Sequence, residues 1–262
     1  MLAKRLATAL VAIPIILYIV YLGDIYYSFL IGLIALIGMY EYLKMLSVNE
    51  PAIVLSYLCG LIALFAAIYH RDAEYIIAIL GVCFLLSILN LLIRFKKTDL
   101  KESASIFWGF VYVGGLLGFL LLIRVDFAFE YTVFLFVVVW LSDTFAYFAG
   151  RKWGNKKLAP VLSPGKTIAG SVGAFVGTAV LLSLFYIFLG NYFPLGYGLT
   201  ILLTVLITFL AQVGDLVESA VKRKLDAKDS GGIVPGHGGV LDRFDSIMFA
   251  APFTYLFLLF LA

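Results

Sequence analysis

The chain has 262 residues, of which 63% are hydrophobic and 13% are charged, and its formal net charge is +3. A soluble domain is closer to half apolar and a quarter charged, so the composition excludes an ordinary water-soluble domain. Apolar runs of about 20 residues recur along the chain, which is the helical length needed to cross the ~30 Å of hydrocarbon in a bilayer. These runs are too long and uniform for the strands of a membrane β-barrel. The composition therefore predicts an all-α, polytopic integral membrane protein.

Nine apolar runs follow one another and are predicted to be transmembrane helices. The first follows Lys4 and Arg5 and ends near Leu22. Because no small-residue cleavage motif precedes Asp24, we interpret this run as a retained helix rather than a signal peptide. The other runs cover about residues 25–46, 52–69, 73–93, 104–123, 127–149, 168–189, 197–217 and 247–262.

The positive charges fall almost entirely on one side of this helix arrangement. If the N-terminus lies in the cytoplasm, all of the 19 Lys and Arg residues except Arg71 and Arg124 fall in cytoplasmic segments. Cytoplasmic loops of membrane proteins carry such an excess of Lys and Arg. The charges therefore predict a cytoplasmic N-terminus, an external C-terminus and a cytoplasmic position for the charged stretch Gln212–Ser246.

The distribution of polar residues predicts two regions with different roles. The helices of residues 1–126 contain few polar side chains and are predicted to form a scaffold. Asp143 and the charged stretch Gln212–Ser246 lie in residues 127–262, which are predicted to form the catalytic region. The cytoplasmic loops of this second region are predicted at residues 150–167 and 215–245.

Two acidic residues lie close to the hydrocarbon of the predicted spans. Glu41 is near the inner end of the second run, and we expect it to reach the interface or to pair with Lys44, one helical turn away. Asp143 lies in the sixth run, where an acid costs about 2.5–3.5 kcal/mol at mid-helix. Because acids inside membranes usually serve function, Asp143 is predicted to face a polar cavity, a cation or a metal ion. A structural pair with one Lys or Arg is the alternative.

The loop of residues 150–167 carries five Lys and Arg residues and no acid. At its end, a predicted turn brings Ser163, Lys166 and Thr167 to the start of the seventh helix. Free N–H groups at a helix N-terminus and a nearby cation suit a phosphate. The spacing of a Walker A loop is absent. Positive-inside anchoring accounts for some of the other lysines.

Acids, hydroxyls and cations alternate at the end of the eighth run. If this helix continues past the membrane face, Asp215, Ser219 and Lys222 lie at positions i, i+4 and i+7. These positions share one side of a helix, and Glu218 at i+3 belongs to the same stripe. The spacing therefore predicts one helical face that carries two acids, a hydroxyl and a cation.

Two further acids, Asp242 and Asp245, lie three residues apart where the ninth helix begins. Capping of the helix dipole explains one acid at this position. It does not explain two acids beside Arg243 and a glycine-rich loop. Several hard oxygen ligands suit Mg²⁺, which commonly binds one or two carboxylates together with substrate phosphates.

Basic and glycine residues of the same stretch are predicted to bind phosphate groups. Basic side chains make charge-assisted hydrogen bonds to phosphates, and glycines let the backbone approach a polyphosphate. Zinc is disfavoured because Cys/His clusters are absent, and nucleic acid is disfavoured because the cations are mixed with acids. A structural loop histidine is the alternative for His237. The predicted phosphate-binding residues here are Ser219, Lys222, Arg223, Lys228, His237, Gly238, Gly239 and Arg243.

The order of these residues resembles the signature of the phosphatidate cytidylyltransferase family. The resemblance is strongest over residues 140–246, and the layout of many helices fits over the full length. Three shorter motifs also resemble the family, Ser142-Asp143-Thr144, the Gly150-Arg151…Gly154 run and Ser163-Pro164-x-Lys166-Thr167. The main motifs are Ser219-x-Val221-Lys222-Arg223, Lys228-Asp229 and Pro235-x-His237-Gly238-Gly239-x-x-Asp242-Arg243-x-Asp245.

The resemblance implies transfer of the cytidylyl group of CTP to phosphatidic acid, with CDP-diacylglycerol and pyrophosphate as products. It also implies a homodimer in the cell membrane. Asp215, Asp242 and Asp245, with Asp143 close by, are predicted to hold one or two divalent ions, Mg²⁺ first among them. Cationic side chains are predicted to clamp CTP and the lipid headgroup. These cations are Lys166, Lys222, Arg223, Lys228 and Arg243.

Two other classes of function stay open from the residues alone. One is a related membrane enzyme that uses CTP differently, either as a polyprenol or phytol kinase or as a synthase acting on archaeal ether lipids. The other is a transporter, because an acid inside a membrane helix is common in transporters. Against a transporter, the charged residues gather at one face of the membrane and no inverted repeat is visible in the sequence.

Overall fold

The computed structural model describes residues 2–48, 50–190, 193, 195–232 and 238–261. Seven helical segments in this part of the chain are long and apolar enough to cross a bilayer. The architecture is that of an all-α polytopic membrane protein, as predicted. The helices are α1 (Leu2–Leu22), α2 (Asp24–Met45), α3 (Pro51–His70), α4 (Ala73–Ile93), α5 (Leu100–Gly109), α6 (Leu116–Asp126), α7 (Phe129–Trp153), α8 (Ile168–Leu189), α9 (Tyr197–Lys224) and α10 (Leu241–Leu259).

The first and last predicted spans are not among the seven segments. In α1 the apolar part is the shorter stretch Leu10–Leu22. Helix α10 has 19 residues, its first two turns contain charged side chains, and Pro252 lies inside it. The number of nine spans and the orientation of the termini therefore stay predictions.

The structure forms two compact units, and the first consists of Met1–Asp126 and Leu225–Arg243. Within this unit α2 packs against α3, and α3 packs against α4. Helices α5 and α6 are joined by a π-helical segment, Phe110–Gly115, so that one continuous helical stretch runs to Asp126. The stretch is longer than the predicted run 104–123, because Asp99 caps its first turn by accepting a hydrogen bond from Glu102 N at 2.7 Å.

The second unit consists of Phe127–Lys224 and Phe244–Ala262. Helix α7 packs along α8, and both pack against α9. Helix α10 contributes residues to both units, because the division between them falls after Arg243. That residues 127–262 form the catalytic region stays a prediction.

A small antiparallel hairpin precedes α8 and was not expected in an all-helical chain. Strand β1 is Lys157–Ala159, and strand β2 is Ser163–Thr167. The predicted turn at Ser163–Thr167 is therefore a strand, because Lys157 pairs with Thr167 and Ala159 pairs with Ser163. The strand ends at the N-cap of α8, where the Thr167 hydroxyl accepts a hydrogen bond from Gly170 N at 3.1 Å.

Candidate active site

A charged stripe lies on the last turns of α9, in the second unit. The structure confirms that α9 continues to Lys224, beyond the apolar run that ends near residue 217. Glu218 is buried, with 2% of its surface exposed, and its carboxylate pairs with Lys222 Nζ at 2.5 Å. The Ser219 hydroxyl lies 3.5 Å from Asp215 Oδ1 and donates to it. The helix thus presents two acids, a hydroxyl and a cation on neighbouring turns, as the spacing predicts.

The β-hairpin supplies a second cation to this stripe. Lys166 Nζ pairs with Asp215 Oδ2 at 2.8 Å. Strand β2 holds Lys166 one residue before the N-cap Thr167, so the helix cap fixes the point from which the lysine side chain extends. Arg223 Nε donates to the carbonyl oxygen of Leu162 at 3.4 Å, which adds a contact between the end of α9 and the hairpin.

Helix α10 adds Asp245, which is 8% exposed. The backbone N–H of Ser246 donates to Asp245 Oδ1 at 2.6 Å. The approach of α9 to α10 depends on Gly214, because a Cβ there would lie 2.7 Å from the Asp245 carbonyl oxygen and 2.5 Å from Phe249 Cβ. A residue without a side chain is therefore required immediately before Asp215.

The buried carboxyl group of Asp245 lies within electrostatic range of three other acids of the second unit. Burial is the largest cause that raises the pKa of Asp245, and the negative charges of Asp215, Glu218 and Asp143 raise it further. The hydrogen bond from Ser246 N opposes this rise. A group of acids that destabilise one another's charged forms gains stability from a bound cation.

Asp143 lies on α7 and its side chain is exposed. Its charge acts on Asp245, so the structure places it within electrostatic range of the acids from α9 and α10. One turn further along α7, the Tyr147 hydroxyl accepts a hydrogen bond from Arg151 Nη1 at 3.1 Å. Six acids and lysines of this unit form the group that we call the α9 cluster: Asp143, Lys166, Asp215, Glu218, Lys222 and Asp245.

The glycine-rich loop before α10 belongs to the first unit and contains a different arrangement of acids. Asp242 Oδ2 accepts three hydrogen bonds, from Ser230 N at 3.0 Å, Ser230 Oγ at 3.0 Å and Gly239 N at 2.8 Å. These donors fold the chain on either side of the loop around one carboxylate oxygen. The predicted role of Asp242 as a metal ligand stays a prediction.

Glu41 does not pair with Lys44, so this part of the expectation is wrong, whereas its reaching the membrane interface stays a prediction. The side chain is 2% exposed and accepts hydrogen bonds from Val240 N at 3.0 Å and Leu241 N at 3.1 Å. Ser230 Oγ also donates to it, at 3.2 Å. The free N–H groups at the start of α10 attract this acid from α2, since a helix N-terminus carries a partial positive charge.

The role of Glu41 was missed because its partners are about 200 residues away in the sequence. The one signal in the sequence was an acid within a mostly apolar helix.

The contacts of Glu41 also show why Gly239 is needed. A Cβ at Gly239 would overlap Ser230 Oγ and would lie 2.6 Å from Glu41 Oε2. We call Glu41, Ser230 and Asp242 the loop anchor.

The other predicted phosphate-binding residues lie on or beside this loop. Lys228 and Arg243 are exposed. Gly238 has a φ of 84°, a conformation that glycine adopts without strain. His237 lies outside the described residues, so its predicted role stays a prediction.

Among the described side chains, no group of three or more acidic, His or Cys residues is positioned so that it could hold a metal ion. The donor chemistry of the α9 cluster nevertheless fits a hard cation, because all four acids are carboxylates, the ligand type that Mg²⁺ prefers. Lys166 Nζ and both Glu218 carboxylate oxygens are shielded from solvent. In this state the two lysine ammonium groups serve as counter-ions for Asp215 and Glu218.

The fold and the α9 cluster define a polytopic membrane protein with a cluster of acids and lysines in its second unit. Comparison with known proteins agrees with this class. The profile of the cytidylyltransferase family matches residues 3–261. The chain is 34% identical to the phosphatidate cytidylyltransferase of Bacillus subtilis, over 97% of both chains. It is 33% identical to the phosphatidate cytidylyltransferase of Staphylococcus saprophyticus, over 97% of this chain and 98% of that one. The chain therefore belongs to the cytidylyltransferase family.

Proposed function

We propose that this protein transfers the cytidylyl group of CTP to phosphatidic acid, giving CDP-diacylglycerol and pyrophosphate. The observation that carries the proposal is the α9 cluster, where acids and lysines from α7, α9, α10 and the β-hairpin act on one another. The names of the similar proteins supply the substrates that such a site would take.

The reaction joins two anions, so its main difficulty is electrostatic. A phosphate oxygen of phosphatidic acid attacks the α-phosphorus of CTP, and a new P–O bond forms. The bond between the α-phosphorus and the bridging oxygen to the β-phosphate breaks, and pyrophosphate leaves with that electron pair. A phosphate monoester is largely ionised at neutral pH, so the nucleophile requires no general base. Positioning and neutralisation of charge supply most of the catalysis in such a reaction.

Lysine and arginine side chains would neutralise the phosphates of both substrates. Lys166 pairs with Asp215, and Lys222 pairs with Glu218. We propose that both ammonium groups turn to the CTP phosphates when the nucleotide binds. Arg223, Lys228 and Arg243 keep their predicted phosphate-binding roles, as do Ser163, Thr167, Ser219, His237, Gly238 and Gly239.

The acids of the α9 cluster are proposed to hold Mg²⁺. Asp215 and Asp245 would be the principal ligands, with Asp143 and Glu218 beside them, and Asp242 is retained from the sequence as a further candidate. When bound, the ion would offset the charge of the CTP phosphates and of the leaving pyrophosphate. One or two ions fit the number of carboxylates.

The setting of the reaction follows from the substrates. Phosphatidic acid stays in the bilayer, whereas CTP is dissolved in the cytoplasm. We therefore propose that the protein resides in the cell membrane with the α9 cluster on the cytoplasmic side, and that it acts as a homodimer. Accessibility of single cysteines, introduced at Lys156 and at Arg71 of a chain without Cys59 and Cys83, would test the orientation.

The decisive assay uses purified protein in mixed micelles with phosphatidic acid, Mg²⁺ and CTP labelled at the α-phosphate. We expect label in a lipid product that comigrates with CDP-diacylglycerol, and one pyrophosphate released for each product formed. EDTA should stop the reaction, and excess Mg²⁺ should restore it. Activity that persists in EDTA would contradict the metal assignment while leaving cytidylyl transfer intact.

Parallel reactions distinguish the alternative functions. Transfer of label from the γ-phosphate of CTP to a polyprenol or phytol would indicate a kinase. Transfer of the cytidylyl group to an ether-linked lipid in preference to phosphatidic acid would indicate an archaeal-type synthase. Absence of nucleotide turnover together with ion-dependent uptake into vesicles would indicate a transporter.

A further inference from the structure

A cavity of about 810 Å³ lies in the first unit, outside the α9 cluster and the loop anchor. It is bounded by the start of α3, the end of α4 and the turn that follows α4. Both helices are candidate membrane spans. The cavity therefore lies where two apolar spans end and a charged segment begins. None of the motifs that resemble the cytidylyltransferases contributes a residue to it.

The two ends of this cavity differ in chemistry. Its wall on the helix side is apolar and is formed by Ile53, Tyr57, Leu86, Leu89 and Ile93. Its other end is formed by the turn after α4, which supplies three cations in four residues. These cations are Arg94, Lys96 and Lys97.

The cations are only partly neutralised by the protein. Arg94 pairs with Glu50 at 3.2 Å and with Glu102 at 3.7 Å. Lys96 and Lys97 are exposed, and neither forms an ion pair with another described residue. Glu50 is the single acid among the described lining residues, so the lining carries a net positive charge.

Two neutral polar side chains, Asn90 and Ser56, also line the cavity. Asn90 is buried and donates a hydrogen bond to Ser103 Oγ at 3.5 Å. Ser56 also lines the cavity, and its hydroxyl donates to the Ile53 carbonyl oxygen at 2.9 Å. The lining thus combines apolar side chains, neutral polar groups and cations, the three kinds of group that would contact the acyl chain, glycerol ester and phosphate of a phospholipid.

We propose that this cavity binds an anionic phospholipid as a site separate from the α9 cluster. The phosphate would lie against Lys96 and Lys97 near Arg94. The part of the acyl chains nearest the headgroup would lie along Leu89 and Ile93. Basic pockets between membrane helices bind anionic headgroups in this way. A free phosphate would leave the apolar wall without a ligand, and a zwitterionic lipid would leave the net positive charge without a counter-ion. The proposal does not depend on the catalytic function.

The binding test uses the full-length protein in nanodiscs that contain a photoactivatable phosphatidylglycerol, which is anionic and is not the proposed substrate. After irradiation, mass spectrometry locates the labelled peptides. We expect labelling of peptides that contain residues 50–57 and 86–97, and we expect it to decrease as salt is added because the attraction is electrostatic. A photoactivatable phosphatidylcholine of the same chain length should label these peptides several-fold less.

Substitutions test the cations directly. Lys96→Gln combined with Lys97→Gln should weaken labelling of the same peptides by about fivefold for each lysine removed, the attraction expected of a cation at an anionic membrane. Lys101→Gln removes an exposed cation of the neighbouring helix α5 that does not line the cavity, and it should leave the labelling unchanged.

Three outcomes would overturn the proposal. The first is equal labelling by the phosphatidylcholine probe, which would indicate only an apolar groove. The second is unchanged labelling in the double variant. The third is an equal loss in Lys101→Gln, which would indicate general attraction to the membrane surface. Because all three lysines are exposed, we expect the variants to fold, and a circular dichroism spectrum equal to that of the wild type checks this.

Discussion

The two units contain acids in opposite environments. In the loop anchor, Glu41 and Asp242 each accept hydrogen bonds from two backbone N–H groups, and they share the single proton of the Ser230 hydroxyl. In the α9 cluster, Asp245 is buried near the charges of three other acids, which raise its pKa. Donors that satisfy a carboxylate make it a structural anchor, whereas acids that repel one another favour a bound cation. The comparison separates Glu41, which holds the fold, from Asp215 and Asp245, which we assign to chemistry.

The largest expected effect is on activity, from Asp245→Asn. Asparagine keeps the oxygen that accepts the hydrogen bond from Ser246 N but removes a buried charge. We expect cytidylyl transfer to fall by about 10²–10³-fold, the loss typical when one preorganised electrostatic group is removed. The melting temperature should stay equal or rise, because repulsion within the cluster is relieved.

Asp72→Asn is the matched control, because Asp72 is an exposed acid of the first unit before α4. It should change neither activity nor melting temperature. If Asp245→Asn kept wild-type turnover, or lost activity only through unfolding, the assignment of Asp245 to the chemistry would be wrong.

The second effect tests the close approach of α9 and α10. Gly214→Ala places a Cβ within 2.7 Å of the Asp245 carbonyl oxygen, so the helices must separate and Asp215 must move relative to Asp245. We expect activity to fall at least tenfold, since small misplacements of catalytic groups are costly. Gly198→Ala lies in the same helix, where a Cβ meets nothing within 4 Å, and should be neutral. Equal activity of both variants would contradict the account.

The third effect is on stability, from Glu41→Gln in the loop anchor. The amide group of glutamine replaces one oxygen that accepts backbone hydrogen bonds and leaves a buried N–H without an acceptor. We expect the free energy of unfolding to fall by about 1–3 kcal/mol. Glu74→Gln, at an exposed position in the first turn of α4, should leave it unchanged.

Thermal and denaturant unfolding in detergent would measure this difference. Below the melting temperature, Glu41→Gln should retain far more cytidylyl transfer than Asp245→Asn. The reverse order of activities would remove the distinction between the two groups of acids.

The smallest effect is expected from Ser230→Ala. The hydroxyl bonds to Glu41 Oε2 and Asp242 Oδ2 are lost, but Ser230 N still donates to Asp242. We expect a loss of about 1 kcal/mol in unfolding free energy, the usual net value of a hydrogen bond. Ser28→Ala, whose hydroxyl bonds only within its own helix turn, is the control. If Ser230→Ala lowered the free energy of unfolding as much as Glu41→Gln does, the serine hydroxyl would contribute more to stability than this account predicts.

Features that depend on nearby residues were predictable from the sequence. Apolar length predicts the seven long helices, and the spacing of Asp215, Glu218 and Lys222 predicts their common face on α9. Contacts between distant segments were not predictable. Nothing in the sequence near Glu41 indicates that Val240 and Leu241 are its partners, and nothing near Asp215 indicates its pairing with Lys166.

The hairpin was missed for another reason. Strand β2 contains Pro164 and Gly165, which favour a turn, and only its pairing with β1 makes it a strand. The candidate site residues come from segments far apart in the chain. The sequence therefore indicates the chemistry of each residue, but it does not indicate which residues lie beside it in the structure.

The central claim is that the acids of the α9 cluster bind a divalent cation. Electron paramagnetic resonance of Mn²⁺ added to the purified protein, without nucleotide or lipid substrate, measures this binding independently of turnover. The account predicts saturable Mn²⁺ binding that Mg²⁺ displaces, that is lost in the combined Asp215→Asn and Asp245→Asn variant and that is kept in Asp72→Asn. Equal Mn²⁺ binding by the wild type and the combined variant, with both folded, would contradict it.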